Sequence, residues 1–228
     1  MISKQNLKKV SPVISYYGSK FRLLDKIFSL LELQENDILL DLFGGSGIVG
    51  VNAKEIFNCK VIINDYDNVL PLNLTYALKN ILSFEGNLKN YTKKRLDYFI
   101  KRLDNGWVDK LNQYNKILQT INITHFDYKQ FLENIINNKN KVTKLYADPP
   151  YFNKTGMYKN SFTIQDHIDL YNLLSELKIQ TKIVISYNDE PFIKELYKDW
   201  NIIEINKTNV CGINKNSSKV KELLITNI

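Results

Sequence analysis

The sequence of this 228-residue chain predicts an α/β fold with a mainly parallel sheet. Three observations carry the prediction. Short β-like runs alternate with stretches of helical spacing, aspartates stand at or just past the ends of several runs, and no apolar run approaches the length of a bilayer span.

The elements follow in order. Arg22–Leu33 puts Leu23, Leu24, Ile27, Leu30 and Leu31 on one helical face. Ile38–Leu42 reads as the first strand and Gly47–Ile56 as the helix after it; Val61–Asn64 is the second strand. Ile121–Thr124 and Leu145–Ala147 are the next strands, followed by helices over Asp127–Ile136 and Ile164–Leu177. Ile183–Tyr187, Ile202–Asn206 and Leu223–Thr226 complete a set of seven strands. In open sheets of this kind ligands bind beyond the carboxyl ends of the strands. Asp41, Asp65, Asp127 and Asp148 all fall there, and four acids on one rim are hard to explain by folding alone.

One segment interrupts the alternation. Between about residues 83 and 120 lie Lys89, Lys93, Lys94, Arg95, Lys101, Arg102, Lys110 and Lys116, interleaved with Tyr91, Tyr98, Phe99, Trp107 and Tyr114. Basic and aromatic residues together suit phosphate contact with stacking, and the segment as a whole reads as an inserted nucleic-acid-binding subdomain. Taken singly, each residue is better explained as part of a solvated helical face or, for the aromatics, a small satellite core. The expected organisation is therefore 1–82 and 121–228 as two parts of one domain, with 83–120 inserted between them.

Bulk properties agree. A net charge of +7 and a pI near 9.1 favour a polyanionic partner. Cys59 and Cys211 lie far apart without metal-ligand spacing, and His125 and His167 are the only histidines, so no metal site is expected. No secretory pattern follows Lys4, Lys8 and Lys9, and the expected location is cytoplasmic, away from membranes.

The residues that carry chemistry are concentrated in three motifs. Asp148-Pro149-Pro150-Tyr151 directly follows a strand; neither proline has an N–H, so the turn offers a carboxylate, carbonyls and a flat aromatic. Such a set suits an aromatic exocyclic amine, which presents two N–H donors and a π-face. Asp41-Leu42-Phe43-Gly44-Gly45-Ser46-Gly47 opens the helix after the first strand. Gly45, Gly47 and Gly50 match the dinucleotide fingerprint, with Asp65 at the distance of a ribose contact. Asp41 argues against a dinucleotide, since it would repel a pyrophosphate, whereas the ammonium and sulfonium of S-adenosylmethionine would be stabilised by acidic groups. Asp65 serves either ligand. The third motif, Tyr16-Tyr17-Gly18-Ser19-Lys20, puts a lysine before the first helix, where it could pair with a ligand carboxylate.

Taken in order, the Tyr16–Lys20 run, Phe43-Gly44-Gly45-Ser46-Gly47, Asp65, Asp127-Tyr128 and Asp148-Pro149-Pro150-Tyr151 resemble the Dam-type, D12 class (alpha-group) DNA adenine N6-methyltransferases. Asn160-Ser161-Phe162-Thr163 and the tail from Ser218 to Thr226 resemble the family too, so the likeness covers nearly the whole chain. It implies a Rossmann-like class I methyltransferase sheet with a small, mainly helical DNA-recognition subdomain. It further implies that Tyr16, Lys20, Asp41, Phe43, Gly45, Gly47, Asp65, Asp127, Tyr128 and Asp148 hold S-adenosylmethionine. Asp148, Pro149 and Tyr151 would then meet a flipped-out adenine, and Lys93, Lys94, Arg95, Lys101 and Arg102 would meet double-stranded DNA, with Phe162 either a second stacking face for the DNA base or, equally, a core aromatic. A cognate restriction endonuclease is a candidate companion; oligomeric state and recognition sequence stay open. The insertion looks shorter than in the best-known members, and Ser19 stands where a glycine is frequent. Three alternatives remain at this point: methylation of an RNA base or a protein glutamine, a nicotinamide dehydrogenase, and an inactive DNA-binding regulator.

Overall fold

A computed structural model describes residues 8–14, 18–67, 70, 93, 96–97, 100–101, 106–138, 141–153, 162–208 and 219–228. A 3-10 turn, Phe21–Leu23, leads into α1 (Leu24–Leu31), β1 (Ile38–Asp41), α2 (Ile48–Phe57) and β2 (Lys60–Asn64). Then come α3 (Trp107–Leu118), β3 (Asn122–Thr124), α4 (Tyr128–Asn137), β4 (Lys144–Ala147) and α5 (Ile164–Leu177). The chain finishes with β5 (Lys182–Asn188), α6 (Pro191–Leu196), β6 (Asn201–Thr208) and β7 (Lys219–Thr226).

The seven strands form one sheet in the order β3-β2-β1-β4-β5-β7-β6. The first five pair in parallel, while β7 runs antiparallel between β5 and β6. That reversed strand separates this sheet from the dinucleotide-binding order, in which the sixth strand follows the fifth directly. The chain moves outward from β1 in both directions, so the topological switch point lies between β1 and β4, where a crevice opens beyond the strand ends.

Side-chain alternation along the strands builds a core on each face. Leu39, Val61, Ile63, Tyr146, Val184 and Leu224 pack under α1, α2 and α3. Their neighbours Leu40, Leu145, Ala147, Ile183, Ile185, Leu223 and Ile225 pack under α4, α5 and α6. Burial on both sides explains why these strands read as continuous apolar runs.

All seven expected strands are present, and the helix expected over Ile164–Leu177 has those bounds, fixed by a capping box between Thr163 and Asp166. The first helix is shorter than expected. Arg22 falls in the 3-10 turn, and the α-helix stops at Leu31 because Glu32 turns left-handed (φ 51°), which returns Leu33 to the core.

The larger difference concerns 83–120. Trp107, Leu111, Tyr114, Ile117 and Leu118 make a buried stripe on α3, packed on the face shared by α1 and α2. The Trp107 indole N–H donates to the Val13 carbonyl at 2.9 Å, and the Tyr114 hydroxyl donates to the Ser46 carbonyl at 2.8 Å. These two aromatics are core residues of the main domain, and α3 packs through them as part of its helical layer. Lys93 and Lys101 are helical and exposed. Tyr16, Tyr17, Lys89, Tyr91, Lys94, Arg95, Tyr98, Phe99, Arg102, Asn160, Ser161 and Cys211 lie outside the described residues.

Trp107→Ala should lower unfolding free energy by about 3–5 kcal/mol in denaturant titration, while the exposed neighbour Val108→Ala should cost under about 0.5 kcal/mol. Equal, small effects would remove α3 from the core.

Candidate active site

The crevice at the switch point is a cavity of about 340 Å³. Asp41 enters it from the end of β1, Asp65 from the end of β2, Asp127 from the N-cap of α4, and Asp148 from the exit of β4. The four acids singled out in the sequence therefore do share one rim.

The loop after β1 is held by close packing. Gly44 leaves no room for a side chain, since a Cβ would sit 2.2 Å from Ile63 Cγ2, and its N–H donates to the Asn64 carbonyl. Gly47 adopts φ 76° at the N-cap of α2, the left-handed turn that favours glycine there. Gly45 does line the cavity, and its N–H donates to Asp65 Oδ2 at 2.7 Å. The glycine loop is thus tied to the acid twenty residues later.

Asp65 also accepts the Asp67 N–H on Oδ1 at 2.9 Å, which leaves one lone pair on each oxygen for a ligand hydroxyl. Burial raises its pKa above the usual carboxylate range, partly offset by those two backbone donors. Asp41 is more strongly affected. Removal from water, with Asp148 and Asp65 nearby, lifts its pKa to about 7, although the Gly50 N–H donates to Oδ2 at 3.0 Å and Lys20 opposes the shift. Asp127 caps α4, accepting from the N–H groups of Lys129 and Gln130.

Aromatic rings form one wall. Phe43 lies 5.6 Å from Tyr128 and 5.7 Å from Phe162, and Tyr128 and Phe162 are 5.0 Å apart with a 30° tilt. The Tyr128 hydroxyl donates to the Asp166 carbonyl, which joins α4 to α5 behind the wall. Phe162 belongs to this wall and also packs on His167. Of the two places the sequence offered for it, base contact or core, the structure shows a ring packed with Phe43 and Tyr128 in the cavity lining.

Lys20 has partners that sequence alone did not indicate. Its side chain is 3% exposed, and the ammonium reaches the Gly18 carbonyl at 2.7 Å, Asp148 Oδ2 at 2.5 Å and Glu222 Oε1 at 3.5 Å. Lys20 thus lines the cavity with its ammonium turned to Asp148 and Glu222. Of the catalytic-loop residues, Asp148 and Pro150 line the cavity, Pro149 is buried, and Tyr151 sits beside it with its hydroxyl on Glu222 at 2.5 Å.

Sequence reasoning missed several lining residues. Tyr66 and Phe126 are 65% and 54% exposed and flank the cavity mouth, next to Asp65 and Asp127. Large exposed aromatics adjoining two flagged acids were the available signal. Buried Asn64 holds this rim together: its amide donates to the carbonyls of Leu42 and Phe126, and its oxygen accepts from Thr124 Oγ1 and the Phe126 N–H. No sequence signal distinguishes that Asn from a surface one.

The chemistry of the lining tests which ligand fits. Lys20 is the only lysine or arginine among the described lining residues, and its charge is taken by carboxylates. A pyrophosphate would meet acids without a free cation; a phosphate-free cationic ligand with an aromatic base would not. The donor set fits S-adenosylmethionine.

Comparison with known proteins decides the family. The D12 class N6 adenine-specific DNA methyltransferases match residues 16–105 and 72–210. This chain belongs to that class. It is an S-adenosylmethionine-dependent, adenine-specific DNA methyltransferase. Across 98% of both chains it is 21% identical to the Type II methyltransferase M1.LlaDCHI of Lactococcus lactis subsp. cremoris. The fold is shared with a SAM-dependent methyltransferase from Agrobacterium tumefaciens (TM-score 0.54, 14% identity, 93% of this chain and 62% of that one). It is shared too with SMU.776, solved in complex with SAH (TM-score 0.52, 12% identity, 92% of this chain and 49% of that one). The chain thus spans less than two thirds of either of those two solved chains.

For this methyltransferase the raised pKa of Asp41 predicts that donor binding depends on pH. Below about pH 7 Asp41 is largely neutral, and a cationic ligand must expel its proton on binding. Donor affinity should therefore rise by up to about tenfold from about pH 6 to pH 8 and then level off. Calorimetry should show proton release at the lower pH, and Asp41→Asn should flatten the profile. A flat profile in the parent enzyme would separate Asp41 from donor charge.

Proposed function

We propose that this enzyme methylates N6 of an adenine turned out of duplex DNA at a specific sequence, and that Asp148 receives the amine. The observation that carries this reading is the position of the Asp148 carboxylate: it leaves β4 at the switch point and faces the same cavity as Asp41, Asp65 and the aromatic wall. The acceptor loop and the donor-fitting surface are thus neighbours across one crevice.

Asp65 would accept from the ribose hydroxyls of the donor, Asp41 would face its cationic end, and Phe43, Tyr128 and Phe162 would pack against its adenine. Gly45 lets backbone approach. Tyr16 completes the donor set by family resemblance. S-adenosylmethionine supplies the methyl group on a sulfonium, which departs as a neutral thioether.

The chain's own residues do the rest. An adenine amine is a weak nucleophile because its lone pair is delocalised into the ring. Asp148 and the Pro149 carbonyl would each accept one N6 hydrogen and draw the nitrogen toward tetrahedral geometry, so that the lone pair points away from the ring. Asp148 need not be a strong base beforehand, since N6 becomes acidic only as its new bond to carbon forms. One N6 proton then passes to the Asp148 carboxylate and on to water. Inside a duplex N6 cannot reach this loop, so the base must leave the stack at a cost of a few kcal/mol, partly recovered by stacking on Tyr151.

The basic segment before α3 is the target-recognition element in this reading. Five of its basic residues, Lys93, Lys94, Arg95, Lys101 and Arg102, supply phosphate contacts, while a cognate endonuclease would cut the same sequence when unmodified.

Two measurements test the proposal. Asp148→Asn should reduce methyl transfer to duplex DNA by at least about a thousandfold while donor affinity stays within about threefold; RNA and protein acceptors assayed in parallel should take no label. Label entering RNA or protein instead would transfer the activity to another substrate. Replacing Lys93, Lys94 and Arg95 by Gln should reduce the slope of log Kd against log salt by about 2–3, and an unchanged slope would take them out of the DNA interface.

A further inference from the structure

We propose that Glu222 is a positioning residue for methyl transfer: its buried carboxylate holds the Tyr151 ring by the hydroxyl and takes a share of the Lys20 ammonium that would otherwise serve Asp148 alone. The inference rests on the reading of Asp148 as the amine acceptor.

Glu222 lies in the middle of β7, flanked by Lys221 and the core residue Leu223, and paired with Asn188 of β5 and Ile205 of β6. It is 2% exposed. A carboxylate at a central position of a buried strand costs several kcal/mol of desolvation unless it is partnered, and an apolar residue there would cost nothing. Folding alone does not ask for it. Its partners are instead the two groups that frame the catalytic loop. Oε1 accepts the Tyr151 hydroxyl at 2.5 Å and stands 3.5 Å from Lys20 Nζ, which is itself 2.5 Å from Asp148 Oδ2. Lys20 Nζ also lies 5.2 Å from the Tyr151 ring centroid.

The outcome is a four-residue unit drawn from three distant parts of the chain. Lys20 comes from the N-terminal motif, Asp148 and Tyr151 from the loop after β4, and Glu222 from β7. The loop itself contains two prolines and can donate few backbone hydrogen bonds, so its orientation depends on side-chain anchors of this kind. Glu222 fixes the far end of the loop through Tyr151 and sets the charge at its near end through Lys20. Other groups facing this unit are Asp41 from β1, Tyr146 from β4 with its hydroxyl on Ser186, and Tyr187 from β5. Of these, the tyrosines have pKa values pushed upward, chiefly by burial, and stay neutral. A second carboxylate beside the same ammonium weakens the hold of Lys20 on Asp148.

Three variants separate this role from a merely structural one, with the pH profile of kcat as the main readout. Glu222→Gln keeps the size and the acceptor oxygen but removes the charge, so Lys20 would neutralise Asp148 alone. The acidic limb of the profile should then move down by about one pH unit with donor affinity within about threefold. Tyr151→Phe removes the anchored hydroxyl; kcat should fall by about tenfold with the limb close to the parent's. Glu222→Ala should show both effects, and combining it with Tyr151→Phe should lower kcat no further than the larger single change. An unmoved limb in Glu222→Gln, or additive losses in the double variant, would overturn the role. Asp148→Asn assayed alongside keeps the two claims apart: full activity there would sink the Asp148 reading, whereas an inactive Asp148→Asn with an unmoved Glu222→Gln limb would sink only this one.

Discussion

Burial of several carboxyl groups at one edge of a parallel sheet is the constraint on which this structure depends. Asp41, Asp65, Asp148 and Glu222 stand within one neighbourhood, with the Lys20 ammonium among the described residues facing them. Isolated carboxylates in such surroundings would be strongly destabilising, and each is met by a specific partner: backbone N–H groups for Asp41 and Asp65, the lysine and a tyrosine hydroxyl for Asp148 and Glu222. The remaining negative potential is what a cationic methyl donor would relieve. Affinity for the donor and tolerance of the acids are the same electrostatic fact seen from two sides.

Topology brings these groups together. β1 and β4 are adjacent though far apart in sequence, so Asp41 and Asp148 meet at the switch point without any long-range side-chain contact having to arrange it. The antiparallel β7 then carries Glu222 to the same edge from the C-terminal tail. Helix α3, returning from the inserted segment, donates the Tyr114 hydroxyl to Ser46 of the glycine loop. That bond ties the helical layer directly to the loop after β1.

Much of this was readable from residue order. Strands buried on both faces declare themselves as apolar runs, and aspartates at their ends mark the functional edge, which is why Asp41, Asp65, Asp127 and Asp148 were identified and do share a cavity. Ambiguity arose where one residue type serves two purposes. Trp107 and Tyr114 sit in a basic stretch, yet their spacing also fits a buried helical stripe, and the stripe is what the fold uses. Phe162 follows the catalytic loop closely enough to suggest a base contact, but its ring packs with Phe43 and Tyr128. Gly47 matched a ligand-binding fingerprint and is needed for its left-handed backbone. Glu222 and Asn64 gave no signal at all, because a polar residue in or beside an apolar run reads as the solvent side of a strand until its partners are known.

A crystal structure of the enzyme with a non-reactive methyl-donor analogue and its cognate duplex addresses the central claim most directly, through the distances from the target adenine N6 to the Asp148 carboxylate and the Pro149 carbonyl. The account predicts both within about 3.2 Å, with Lys20 still paired to Asp148 and Tyr151 still bonded to Glu222. An adenine left stacked in the helix, or an N6 beyond hydrogen-bond reach of both oxygens, would contradict it.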